Sequence, residues 1–128
     1  MRFEHFLGTE LCDEVDKIND ILQQKDANNT NEFWISIDTQ FPFMGLLTNN
    51  GLAYVHFFDK EGSPGFRALS NCDVGSYLSG TTTFYSNNGS EEIVVENECV
   101  LSINKAIEIV KQFYTTKKMP TCVEWDEL

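Results

Sequence analysis

Residues 102–114 constrain the fold most, because they read as one amphipathic helix whose apolar stripe needs a sheet to cover. Ile103, Ala106, Ile107, Val110, Phe113 and Tyr114 recur at helical spacing, and Ser102 stands where its hydroxyl can accept from an orphan amide of the first turn. Lys111, Lys117 and Lys118 lie at or beyond the negative end of the helix dipole, and Pro120 forbids continuation past Met119. The chain must turn back there, so residues 121–125 read as a terminal strand.

The sheet that this helix covers is written into the middle of the chain. From Glu32 the apolar period becomes two, with Phe33, Ile35 and Ile37 alternating with Trp34, Ser36 and Asp38. Strands at 43–48 and 52–58 flank Asn49-Asn50-Gly51, a tight-turn signal because asparagine and glycine tolerate positive φ. A turn at 59–65 precedes a short strand at 66–69, and strands at 81–85 and 91–96 form a second hairpin; residues 70–80 carry no clear pattern. Before all of these, Leu11, Val15, Ile18 and Leu22 fall at helical spacing, which predicts a surface helix over 10–24 with Glu10, Asp13 and Glu14 facing outward. The sum is an α+β fold, a curved and mainly antiparallel sheet of about six or seven strands with two helices on one face. A length of 128 residues suits a single domain spanning 1–128, and neither a repeat nor a linker divides it.

A formal net charge of -11, from 20 acidic against 9 basic residues, repels phosphate backbones and anionic lipid. Direct nucleic-acid and membrane binding are therefore not expected, whereas a basic protein partner would be steered in. Residues 1–7 lack the uninterrupted apolar run of an export signal, which predicts a cytosolic protein. Cys12, Cys72, Cys99 and Cys122 are irregularly spaced and accompanied by two histidines, so they read as reduced thiols with no metal and no cofactor.

Catalytic constellations are weakly supported. Cys72 and His56 with an acid such as Asp59 could serve a small hydrolase or ligand-binding enzyme, but Asp73 beside the cysteine would disfavour the thiolate. Glu91 and Glu92 are adjacent on a strand and point to opposite faces, and Gly62-Ser63-Pro64-Gly65 lacks the helix and lysine of a phosphate loop. Aromatic residues suit an interface better: Trp34, Phe41, Phe43, Tyr77 and Tyr85 are candidates to anchor a partner.

Four segments, Tyr54-Val55-His56-Phe57-Phe58-Asp59, Phe84-Tyr85, the helix carrying Ala106, Val110 and Phe113, and Pro120-x-x-Val123-Glu124-Trp125, occur in an order that resembles the small immunity proteins of bacterial polymorphic toxins. The resemblance covers roughly the C-terminal two thirds; Lys117 departs from it where similar members carry a helix-capping glycine, which implies a looser cap. It implies a non-enzymatic inhibitor that binds a cognate toxin stoichiometrically, often a nucleic-acid deaminase, with the zinc and the catalytic glutamate on the toxin. Such a protein is expected to be a monomer or weak dimer when free. Its toxin-binding residues are expected among Glu10, Asp13, Glu14, Asp59, Glu61 and Asp73, with Trp34 and Tyr85 as apolar anchors. Pro120, Val123, Glu124 and Trp125 are expected to serve the fold.

Overall fold

A computed structural model describes residues 1–38, 40–71 and 80–128. Its strands are β1 (Arg2–His5), β2 (Gly8–Leu11), β3 (Thr30–Ser36), β4 (Phe43–Asn49), β5 (Leu52–Phe58), β6 (Phe66–Ala68), β7 (Thr81–Ser86), β8 (Glu91–Glu96), β9 (Leu101–Ser102) and β10 (Trp125–Glu127). Helix α1 (Ile18–Leu22) lies between β2 and β3, and α2 (Ile103–Thr116) between β9 and β10. Eight strands make one antiparallel sheet in the order β10-β6-β5-β4-β3-β1-β2, with β9 beside β5, while β7 and β8 form a separate two-stranded ribbon. The α+β class follows as expected.

The centre of the sheet forms where turn chemistry and alternation agree. Asn50 and Gly51 take φ of 50° and 84°, the left-handed pair that a two-residue hairpin requires, and set Asn49 opposite Leu52. That register sends Ala53, Val55 and Phe57 to one face, in line with Leu46 and Met44 on β4 and with Phe33 and Ile35 on β3. Ala106, Ile107, Ile109, Val110 and Phe113 of α2 cover this layer together with Ile18, Ile21 and Leu22 of α1, so both helices share one core. Ser102 caps α2 by accepting from Lys105 N at 3.1 Å. At the other end Lys117 itself takes the left-handed conformation (φ 60°), and its amide donates to Phe113 O at 2.8 Å. The cap that a glycine would form is thus built with lysine.

Three expectations change. The helix expected over 10–24 is a single short turn at Val15–Lys17 leading into α1, because Gly8–Leu11 pairs as β2 with β1 instead. Met1 and Cys12 close that hairpin with two bonds, Cys12 N to Met1 O at 2.8 Å and the Met1 ammonium to Cys12 O at 3.0 Å, and Phe3 is buried in the core. Leu11, expected on the buried stripe, is 80% exposed on the edge strand. Second, the terminal strand begins at Trp125, not Thr121; the chain first bends around a buried Pro120, held by Cys122 N to Gln112 Oε1 at 3.0 Å. Third, the β7–β8 hairpin does not extend the sheet but lies across its far face, where Phe84, Val95, Cys99 and Val100 form a second apolar cluster with Leu47.

Candidate functional site

The helices cover one face of the sheet, and strand alternation dictates what stands on the opposite one. Glu4, Trp34, Gly45, His56 and Arg67 are paired in register across five strands, and residues directly opposite share a face. Arg2, Ser36, Phe43 and Phe58 form the next row. The ribbon covers Leu47 and the flank of Tyr54 and stops short of these two rows. They form an open floor of aromatic and charged side chains beside a ribbon wall.

Trp34 is the hub of that floor. Its ring lies over Gly45, so close that a β-carbon there would sit 3.1 Å from Cζ3, yet the residue is still 44% exposed. From it runs an aromatic chain, Trp34 to Phe43 with ring centres 6.0 Å apart, Phe43 stacked on Phe58 at 4.7 Å, and Phe41 on Phe43 at 5.2 Å. Three clefts of about 160, 190 and 380 Å³ meet at Trp34. Exposed aromatic surface with recesses on either side is the form of an interface anchor.

The charged groups around it are unevenly paired. Arg67 Nε donates to Asp126 Oδ2 at 2.9 Å, and Arg2 meets Glu4 at 2.7 Å. Glu32, two residues before Trp34 on β3, pairs with no lysine or arginine among the described residues. One of its oxygens accepts from Asn87 N at the ribbon tip, 3.2 Å away. Burial pushes its carboxyl above the usual glutamate range, against the Asn87 bond and with the help of the nearby Glu91 charge. His56 Nε2 lies 2.6 Å from the Tyr54 hydroxyl, and burial, with Arg67 adding repulsion, holds the imidazole below its ordinary value. Burial foremost pushes both the Tyr54 phenol and the Cys99 thiol up.

Among the described residues no cysteine is hydrogen-bonded to a histidine. Cys72, Asp73 and Tyr77 lie outside the described residues. No hydrogen bond or ion pair joins His56 to Asp59 among the described residues, and Cys99, whose environment disfavours the thiolate, is buried. Among the described residues no three His, Cys, Asp or Glu side chains converge to hold a metal ion. No helix among them is long and apolar enough to cross a membrane.

The other candidates are scattered. Glu10 is half-buried and engaged within the chain, accepting from Gln24 at 2.6 Å and lying 2.7 Å from His5 Nε2. Asp13, 3.4 Å from Lys17, and Glu14 are exposed, but they precede α1 and do not form a helix face. Asp59 and Glu61 are exposed in the β5–β6 turn. The row Leu11, Arg2, Ser36, Phe43, Phe58 places the two exposed pairs at the same end of the sheet, four strand spacings or roughly 19 Å apart. Tyr85 lines a different cleft from Trp34, with Asn28, Thr30 and Asn49. Pro120 is buried, Val123 packs on the core, Glu124 accepts from the Asn71 amide, and Trp125 Nε1 donates to Pro120 O at 2.8 Å. Glu32 and Glu4 belong to no motif, although the period of two in the sequence puts Glu32 on the face of Trp34.

No protein-family model matches the chain. A double-stranded DNA deaminase immunity protein of Burkholderia cenocepacia (strain H111) is 31% identical over 129 residues, an alignment covering 100% of each chain. The shared length includes the strand, helix and terminal segments that carried the resemblance. The chain belongs to the deaminase immunity protein family, among the immunity proteins of polymorphic toxins.

Proposed function

We propose that this protein protects its cell by binding a deaminase toxin that acts on double-stranded DNA, one inhibitor to one toxin, and has no turnover of its own. The observation that carries this reading is the full-length kinship with an immunity protein of that description. The open floor around Trp34 supports it as the contact surface, because a partner can bury the exposed indole and fill the clefts beside it. Asp13, Glu14, Asp59 and Glu61 would act as a rim, drawing in a domain made basic by its work on nucleic acid. Glu10 is already engaged and contributes to the fold; Asp73 stays a rim candidate by its charge. Tyr85, on another cleft, is a secondary anchor. Pro120, Val123, Glu124 and Trp125 form a clasp that holds the chain end against the core. The protein would act in the cytosol as one domain, monomeric or weakly dimeric when free, without cofactor, nucleic acid or membrane.

Co-expression tests the reading. Cells producing a cognate double-stranded DNA deaminase domain should survive when this chain is present and accumulate deaminated DNA when it is absent. The two proteins should also co-purify. Survival with no complex, or a complex that leaves deamination intact, would overturn the reading.

A further inference from the structure

We propose that the cleft between Glu32 and Trp34 is a receptor for one arginine side chain of the deaminase, a contact that rests on the function proposed above and supplies its specificity. Glu32 and Trp34 are two residues apart on β3, so their side chains stand on the same face about 7 Å apart along the strand. The cleft they line with Gly45, Leu47, Tyr54 and Ser86 has a volume of about 160 Å³. That is room for roughly five waters, enough for a guanidinium and the end of its stem. Glu32 and Trp34 also line the adjoining cleft of about 190 Å³, where Glu4 adds a second carboxylate.

The charges select the occupant. Glu32 Oε1 accepts from Asn87 N, but no hydrogen bond to Oε2 exists among the described residues, and the two arginines of this face are engaged elsewhere, Arg2 by Glu4 and Arg67 by Asp126 and Tyr54. Glu91 repels the Glu32 charge from the ribbon side. A half-buried carboxylate in that position is costly until a cation arrives, and the net charge of -11 brings cationic surfaces toward it. Arginine fits better than lysine because a flat guanidinium can donate to the carboxylate while stacking on an exposed indole. Phosphate is excluded by the same carboxylates. A metal ion lacks converging ligands among the described residues.

The test uses the full chain and the deaminase domain that it inhibits in the co-expression assay, with kinetics and affinity measured for wild type, Glu32→Gln and Trp34→Ala. Both variants should weaken the complex at least about tenfold, mainly through faster dissociation, since a desolvated charge pair is lost from the centre of a contact. Asp13→Asn, on the rim, should slow association and leave dissociation nearly unchanged. Arginine-to-alanine changes across the deaminase should reveal one whose effect disappears in the Glu32→Gln background, as a double-mutant cycle requires. Glu32→Gln keeps an acceptor for Asn87 N, and an unreduced melting temperature of the free variant confirms that lost binding is not lost folding. Wild type that binds and inhibits, beside a Glu32→Gln that binds equally well or couples to no arginine, overturns this inference and leaves the function standing. A wild-type chain that binds no deaminase overturns both.

Discussion

Folding disfavours the charged form of both Glu32 and His56, and because one is an acid and the other a base their pH dependences run in opposite directions. Folded Glu32 binds its proton more readily than the unfolded chain does, so its contribution is favourable at low pH and is lost as pH rises from about 4.5 through the raised folded value. At neutral pH the ionised carboxylate therefore weakens the free protein. Glu32→Gln is expected to raise the urea midpoint of the free chain at pH 7 while weakening its complex, a trade-off that a purely structural residue does not produce. Folded His56 binds its proton less readily than the unfolded chain, so stability should fall as pH drops through about 6.5 and level off below the depressed folded value. Urea midpoints between pH 7.5 and 5 should show that loss in wild type and a flatter profile in His56→Gln. Lys117 is a third local cost: a non-glycine residue at φ 60° is strained, and the Nζ bond to Tyr114 O at 3.1 Å offsets only part of it. Lys117→Gly should therefore stabilise by about 0.5 to 1 kcal/mol, read by the same denaturation.

Among the elements, α2 and the terminal clasp make unequal demands. Phe113 is fully buried, edge-on to Phe57 at 5.7 Å, whereas Trp125 is half-buried against the same ring at 5.9 Å and tied to Pro120 O. Phe113→Ala should cost about 3 to 5 kcal/mol and Trp125→Ala less, about 1 to 3, in equilibrium denaturation. Equal losses would mean that the clasp is buried as deeply as the helix stripe. Helix α2 and the β4–β5 hairpin were legible in the sequence because their signals are local, a capped apolar stripe and an Asn-Gly turn that determines its own register. The N-terminal hairpin was not, since Leu11 and Val15 keep helical spacing while the deciding contacts, the Met1–Cys12 closure and the pairing of Phe3 with Ile35 far along the chain, leave no periodic signal. The β7–β8 pairing could be read, but whether it extends the sheet or crosses it depends on which apolar surfaces remain uncovered. Trp34 could be singled out by type alone. Glu32 could not, because a carboxylate on a half-exposed strand reads as solvated until the ribbon tip is seen to close over it.

At the scale of the whole molecule, one face of the sheet is covered by the helices and the other carries the ribbon and the open floor proposed for recognition. Helices fill the first; the second carries a ribbon at one end and, at the other, aromatic rings between two pairs of exposed acids. A net charge of -11 should speed encounter with a basic deaminase, and that gain should shrink as salt screens the long-range field. Stopped-flow association across a salt series should therefore slow with ionic strength while dissociation changes little. An inhibitor that must leave little free deaminase at cellular concentrations should bind at nanomolar affinity or tighter, about -12 kcal/mol or beyond. Inhibition by occupying the partner differs from inhibition by chemistry in its stoichiometry. Titrating this chain into a fixed amount of the deaminase domain, with double-stranded DNA deamination as the readout, distinguishes the two most directly. Occupancy should give a linear fall to zero activity at one equivalent, reached at once and unchanged on longer incubation. Activity that keeps falling with time at substoichiometric inhibitor would indicate turnover, and activity persisting beyond one equivalent would contradict occupancy.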